Sequence, residues 1–507
     1  VKHYDLLAQS YTMGKIPNHV FADISFDKLL AKYLGAKQTA NILAVIGRPL
    51  SAEGIKLRQE LLLDLEKEEV AAYLSRLKLM VQDLELSYNA YHQQENPFYK
   101  LTAFLDFVEK YASFVETICD QALKESLTSR LLQGFTDSFT ALTESADFQR
   151  LKGEAADLRE KLKSIGSVQV TVNTPDGVPI AAALNRKKQS HLAEQLMVIA
   201  EKYSEGRGHR RASRRRELSM SFLTGLSRLY PQLFAQLERF HEQYQYLLDN
   251  RLFAYRNQFA FYLDLRLFFT AVGKAGIPLC MPKNSAARQT IIKDAYDVTL
   301  LLKTTSGIVP NDIEFSAESG FYVLTGANSG GKTAYLRAVA LCHILFCAGG
   351  YVPAREAQIY PFTKIFTQFP ADESRIEAGR LEDEQRKIEA IVAAADDDTL
   401  VLLNETFSST SEELSLDLCS DLVARLCQAG AYGLFVTHHH QLPGRVAQLS
   451  VKTRIGFLSA VVLDDAAKTR TYKISRQRQA TGSYAQTILE KYGLTCSQLT
   501  KRLLEVQ

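Results

Sequence analysis

Proline is sparse where helices would need it to be. The chain of 507 residues has 13 prolines, none of them between Pro97 and Pro175, Pro179 and Pro231, or Pro231 and Pro278. Proline breaks helix interiors, so these stretches, rich in Leu, Glu, Lys and Ala, suit long helices. Paired cysteines are also missing. Seven cysteines, an odd number, are scattered from Cys119 to Cys496 without a CxxC pair. This argues against a disulfide framework and a zinc site, and for a reducing, cytoplasmic setting. No run approaches the ~18 apolar residues of a membrane span, so no membrane partner is expected. Residues Val1 to Tyr11 are mixed, with Lys2, His3 and Asp5, unlike a signal peptide. The chain starts at Val1 rather than methionine, which leaves the native N-terminus open. Nor is there a charge excess: 60 basic against 57 acidic residues leave +3, so any affinity for nucleic acid must come from a local patch.

What is present divides the chain in two. Its length suits two to four domains. In the first part, Leu57, Leu61, Leu62 and Leu65, then Val70, Leu74 and Leu77, recur at helical spacing. Leu151, Leu158 and Leu162 stand among alternating acids and bases, as on a solvated helix. A helical bundle is the reading for most of residues 1–290. Two segments interrupt it. SVQVTV (167–172) alternates like a strand and is followed by Thr174-Pro175-Asp176-Gly177, which predicts a short hairpin at the tip of two long helices. GRGHRRASRRRE (206–217) carries Arg207, Arg210, Arg211, Arg214, Arg215 and Arg216. It is either a solvated loop or a contact to nucleic-acid phosphates, which the planar guanidinium suits; with no aromatic interleaved, base stacking is not expected.

From about residue 315 short apolar runs alternate with amphipathic helices: FYVLT (321–325), LVLL (400–403) and GLFVT (433–437). This predicts an α/β domain with a central, mainly parallel sheet, making the whole chain α plus α/β. The strongest local signal is Gly326-Ala327-Asn328-Ser329-Gly330-Gly331-Lys332-Thr333, a complete G-x-x-x-x-G-K-[ST] between an apolar strand and a helix. Successive backbone N–H groups there, continued by Ala334, would cradle phosphates. Lys332 would reach the β- and γ-phosphates of ATP, and Thr333 would place its hydroxyl on Mg2+. At the end of the apolar run LVLL come Asn404 and Glu405. Glu405 is placed to orient or deprotonate an attacking water. Asn404 stands where such NTPases usually keep an aspartate near the magnesium; it offers oxygen without charge, which bears on turnover more than on binding. His438, closing Val436-Thr437-His438, could sense a γ-phosphate. His439 and His440 follow it, but three consecutive histidines point in different directions and do not make a metal site.

These motifs in this order resemble the MutS family. TGANSGGKTAYLRAVAL and AGGYVPA (348–354) are similar to its P-loop and following helix, LVLLNETFSSTS (400–411) to its Walker B and D-loop, and VTHHHQL (436–442) to its ATHYHEL switch. Val309-Pro310-Asn311-Asp312 resembles the short motif that helps hold the nucleotide, and Gly482-Ser483-Tyr484-Ala485 the start of the last helix. RPLSAEGIKLRQELLLDL (48–65) and RLFFTAVGKAGIPLCMP (266–282) are weaker matches to the family's core helices.

The resemblance implies a helical core over 1–140, lever helices with a short clamp-like tip over 141–250, a returning core helix and connector over 251–295, and an ABC-type ATPase domain over 296–507. It further implies a homodimer that sandwiches ATP and Mg2+ and acts on DNA. Three departures stand out. No stretch of this sequence reads as the mismatch-reading domain or its aromatic–x–glutamate motif, so mismatch specificity is not expected to carry over, and the clamp region is expected to be short. Where the family has a serine-containing signature facing the partner's nucleotide, this chain reads Gly379-Arg380-Leu-Glu-Asp-Glu384. Arg380 there is either a phosphate contact across the dimer or a surface arginine. Two alternatives stay open: an ATP-dependent factor acting on ribosomes or RNA, and an ATP-gated protein scaffold with little hydrolysis.

Overall fold

A computed structural model describes residues 4–7, 11–120, 124–164, 168–171, 181–184, 230–246, 250–326, 330–370, 380–408, 410–462 and 470–476. The chain divides into two compact units. One comprises residues 1–6, 67–128 and 132–260, the other 7–66, 129–131 and 261–507. Among the described residues no helix is long and apolar enough to cross a membrane, and all six described cysteines are free.

The first unit is helical, as the proline-free stretches predict. Helices Glu68–Gln93 and Pro97–Ile118 lie against each other, and Ala146–Ser164 and Pro231–Tyr244 pack on the second of them. The turn between the first two is set locally. Asn96 caps the second helix by accepting from the N–H groups of Phe98 and Tyr99, and Pro97 takes the first helical position, where its missing donor costs nothing. Aromatics fill the interior: Phe104 meets Phe240 edge-on at 5.8 Å, and the Tyr91 hydroxyl lies 2.7 Å from His241 Nε2. Leu151 and Leu158 are buried here, so the charged helix that looked solvated turns one stripe inward. Arg159 of this helix pairs with Glu109 of Pro97–Ile118 across their contact. Strand Val168–Thr171 pairs antiparallel with Ala181–Leu184. The turn residues 174–177 expected between them lie outside the described residues.

In the second unit the N-terminal helices include Ala52–Asp64, capped by Ser51 accepting from Gly54 N–H. Its Arg58 is buried, donating to the carbonyls of Ala348 (2.9 Å) and Leu7 (3.0 Å) beneath the Phe261 ring. Of the helix Ala254–Lys274, residues 254–260 belong to the first unit and 261–274 to the second.

The remainder of this unit is α/β. In chain order come β1 (Lys283–Asn284), β2 (Thr290–Ala295), β3 (Asn311–Phe315), β4 (Phe321–Thr325), α1 (Lys332–Cys347), β5 (Glu356–Ile359), β6 (Lys364–Gln368), α2 (Arg380–Ala394), β7 (Thr399–Asn404), α3 (Glu412–Ala429), β8 (Tyr432–Val436), β9 (Ile455–Val462) and β10 (Arg470–Ser475). The larger sheet has the order β10-β9-β4-β8-β7-β6, parallel except for the antiparallel edge strand β10. A smaller sheet has the order β1-β5-β2-β3.

Parallel strands covered on both faces read as unbroken apolar runs, and every residue of β7 and β8 is buried. Alternate side chains separate the faces. Phe321, Val323, Val401, Leu403 and Phe435 join Leu416, Leu422, Val423 and Leu426 of α3 and Ile388 and Ile391 of α2 in one cluster. Helix α1 contacts the sheet through β7 and β8 and touches β2 of the smaller sheet as well. It is therefore buried nearly all round, including Leu336, Val339, Ala340 and Ile344.

Candidate functional site

Parallel alignment brings the strand ends together. Leu324 of β4 and Asn404 of β7 both pair in register with Val436 of β8. The turns that leave these strands therefore open on one edge of the sheet, the place where α/β proteins bind ligands. After β4 the chain must bend back sharply to enter α1. Gly326 (φ +133°) and Gly331 (φ +91°) supply backbone conformations that side chains rarely adopt. At Gly326 a Cβ would also come within 3.0 Å of Ala460. Gly330 of the loop is buried. Ala327, Asn328 and Ser329 lie outside the described residues.

Lys332 opens α1 with its side chain nearly buried, and its Nζ donates to the Gly326 carbonyl at 2.6 Å across the loop. Burial pulls its pKa down, while the Glu405 carboxylate opposes the shift. The Thr333 hydroxyl points at the Asn404 amide oxygen, 3.4 Å away. Both atoms are oxygens, the donor type that magnesium prefers, and neither carries charge; a metal there would draw its charge balance from phosphates and from nearby Glu405. Glu405 leaves β7 with a positive φ of +48°, and its N–H bonds to the Val436 carbonyl at 2.8 Å.

Lys332, Thr333 and Glu405 line one cleft of about 720 Å3. Its walls include Gly331, Lys332, Thr333, Ala334, Arg337, Glu405 and Asn311, with Asp297, Lys303, the 306–309 segment and Tyr472. Lys303, Lys332 and Arg337 face Asp297 and Glu405, and the N-terminus of α1 adds its partial positive charge, so the cleft favours an anion. Asp297 lies almost fully buried. Its Oδ1 accepts from Thr299 N–H (3.0 Å) and Oγ1 (2.6 Å), while Oδ2 and the Arg337 Nε have no partner among the described residues. Burial pushes the Asp297 carboxyl up to about 6, against the pull of Thr299 and Arg337.

Other residues singled out in the sequence take more particular places. Asn311 lines the cleft, but its amide is engaged with β10: Nδ2 donates to the Tyr472 carbonyl (3.0 Å) and Oδ1 accepts from Ile474 N–H (2.8 Å). The Pro310 carbonyl accepts from Lys473 Nζ at 2.5 Å. His438 is exposed and its ring lies 4.3 Å from that of His439. His439 is buried, with Nε2 2.7 Å from Ser415 Oγ of α3; burial lowers its pKa. His440 is exposed as a residue, but part of its ring is shielded from water; that desolvation, then Lys332 and His438, lower its pKa. Glu384 lies one turn into α2 and accepts from Phe407 N–H at 3.1 Å within its own chain. Arg380 is the first residue of α2; its side chain, Gly379 and Arg207 to Arg216 lie outside the described residues. No cluster of three or more metal-ligating side chains of the His, Cys, Asp or Glu type occurs among the described residues.

Sequence reasoning missed Asp297, Lys303, Arg337 and Tyr472. Only Gly307, with φ +78° in the wall segment, left a local trace, in the Ser306-Gly307 turn signal. Tyr472 is 45% exposed, a large ring offered to the cleft from β10.

Residues 322–501 match the family model of MutS domain V. The DNA mismatch repair protein MutS of Natronomonas pharaonis is 34% identical over 165 residues, 32% of this chain and 19% of that protein. DNA mismatch repair protein MutS 2 of Halobacterium salinarum is 32% identical over 195 residues, 38% of this chain and 22% of that protein. DNA mismatch repair protein MutS of Methanothrix thermoacetophila is 32% identical over 232 residues, 43% of this chain and 26% of that protein. The chain thus spans about a fifth to a quarter of the length of these curated relatives.

Proposed function

With MutS domain V in residues 322–501 of a chain consistent with a MutS-family protein, we propose that it is an ATP-dependent DNA-binding ATPase that works as a homodimer. The observation that carries this is the convergence of Lys332, Thr333 and Glu405 on the cleft at one sheet edge, with the Asn404 amide oxygen meeting the Thr333 hydroxyl. In this reading the loop Gly326–Thr333 and Ala334 hold the phosphates, Lys332 leaves the Gly326 carbonyl for the β- and γ-oxygens, and Tyr472 offers its ring to the base. Thr333 and Asn404 would hold the magnesium that accompanies ATP, and the metal would supply positive charge against that of the phosphates. Glu405 orients a water in line with the γ-phosphorus and takes its proton as the bond to the leaving oxygen of ADP breaks. His438 registers the γ-phosphate, or His440, whose ring feels the Lys332 charge.

The segments 1–140, 141–250, 251–295 and 296–507 act as core, lever with clamp tip, connector and ATPase domain, and Arg207 to Arg216 touch DNA phosphates. Gly379, Arg380 and the start of α2 face the nucleotide of the second subunit. Mismatch reading is not part of the proposal.

The test is ATP hydrolysis with and without branched DNA, beside Lys332→Ala. Stimulation by DNA that the variant loses supports the reading; equal rates for wild type and variant refute it. A second reading, an ATP-gated scaffold with slow turnover, is favoured by Asn404, which leaves the Thr333 hydroxyl beside an uncharged amide. Slow hydrolysis indifferent to DNA would select it. Matched DNA and RNA in a salt series would separate the ribosomal or RNA alternative.

A further inference from the structure

The turn that carries Glu405 is strained. Glu405 and Phe407 both have positive φ, +48° and +61°, within three residues and without a glycine. Such conformations persist only where surrounding contacts over-determine them, and they gather at functional sites. Four contacts hold this turn. The Glu405 N–H bonds to β8 through the Val436 carbonyl, Cys419 of α3 donates to the Thr406 carbonyl at 3.6 Å, and Phe407 packs into the apolar cluster beneath α2 and α3. The remaining tie comes from α2: Phe407 N–H donates to Glu384 Oε1 at 3.1 Å. A carboxylate acceptor makes this bond stronger than a neutral one.

We propose that Glu384 is a positioning residue acting within its own chain, holding the strained turn so that Glu405 faces the γ-phosphate. The proposal rests on the reading of Glu405 as the group that orients water. Glu384 stands one helical turn after Arg380, where α2 begins. A shift of that end of α2 therefore reaches Glu405 through one hydrogen bond and one buried ring. Strain makes the coupling steep, because a turn released at Phe407 relaxes toward ordinary backbone angles and carries Glu405 with it.

The experiment measures steady-state ATP hydrolysis and, separately, affinity for a fluorescent ATP analogue. It compares the wild-type protein with Glu384→Leu, Glu384→Gln and Glu405→Gln. Glu384→Leu removes the acceptor and should lower kcat about tenfold to hundredfold, the cost of misplacing a reacting group by about 1 Å. Nucleotide affinity should stay within about twofold, because the phosphate-binding atoms are untouched. Glu384→Gln keeps an acceptor oxygen and should recover most of the rate. Should Glu384→Leu fail to fold, Glu384→Asp, one methylene too short to reach Phe407, carries the same expectation. The proposal is overturned if Glu384→Leu keeps the wild-type kcat while Glu405→Gln loses it, or if Leu and Gln at 384 lower the rate equally. Hydrolysis that survives Glu405→Gln unchanged, or is absent from the wild type, removes the reading of Glu405 first and this proposal with it.

Discussion

Asp297→Asn should make the protein more stable at neutral pH, and by an amount that depends on pH in a defined direction. The carboxyl is almost fully buried, and its pKa rises from 3.8 to about 6 because burial disfavours the charged form. Between those two values the folded state holds a proton that the unfolded state has released. Stability therefore falls as pH rises through this window, and the ionisation penalty is complete above about pH 6. A shift of about 2 units corresponds to about 3 kcal/mol in total, of which about 1.4 kcal/mol falls between pH 5 and pH 8. Asparagine keeps an oxygen for Thr299 N–H and Oγ1 and removes the titration. The wild-type protein also has carboxylates whose pKa values are lowered, Asp312 and Asp396 among them, which work in the opposite sense and are common to both proteins. The quantity to follow is thus the difference between variant and wild type. The chain has no tryptophan, so urea unfolding is best followed by circular dichroism at pH 5 and pH 8. The advantage of the variant should grow by about 1–2 kcal/mol from the lower to the higher pH. An advantage that is constant, or that shrinks as pH rises, would show that Asp297 is charged at little cost, and that the Arg337 guanidinium compensates its burial.

Two further outcomes follow from the same geometry. Asn404→Asp places a second carboxylate beside Thr333 and Glu405; the magnesium needed for half-maximal nucleotide binding should fall by about three- to tenfold, and an unchanged titration would mean that residue 404 does not touch the metal. Arg58→Met keeps the buried bulk but leaves the carbonyls of Ala348 and Leu7 without their donor; the loss should be about 2–4 kcal/mol by urea unfolding, and a loss near zero would show that water replaces the guanidinium.

What could be read from the sequence was local. Phe321–Thr325, the glycine loop and the helix from Lys332 depend on neighbours a few residues apart: an apolar run, positive-φ glycines, then helix formers. The strands Thr399–Asn404 and Tyr432–Val436 were legible within a residue, because strands buried on both faces are apolar throughout. The cap at Asn96-Pro97 and the long helices beyond it belong to the same class.

Tertiary structure decided what depends on strand order and on groups far apart in the chain. Placing β8 between β4 and β7 is what sets the Asn404 amide 3.4 Å from the Thr333 hydroxyl, 71 residues away. It engages the Asn311 amide with β10, and it buries His439 while leaving His438 and His440 exposed, although the three carry the same side chain. It also brings Asp297, Arg337 and Tyr472 to one cleft. Periodicity reports which face of an element is apolar, a property of one segment. Which segment covers that face, and which polar atoms meet at its edge, is settled only when the strands pair and the helices close over them.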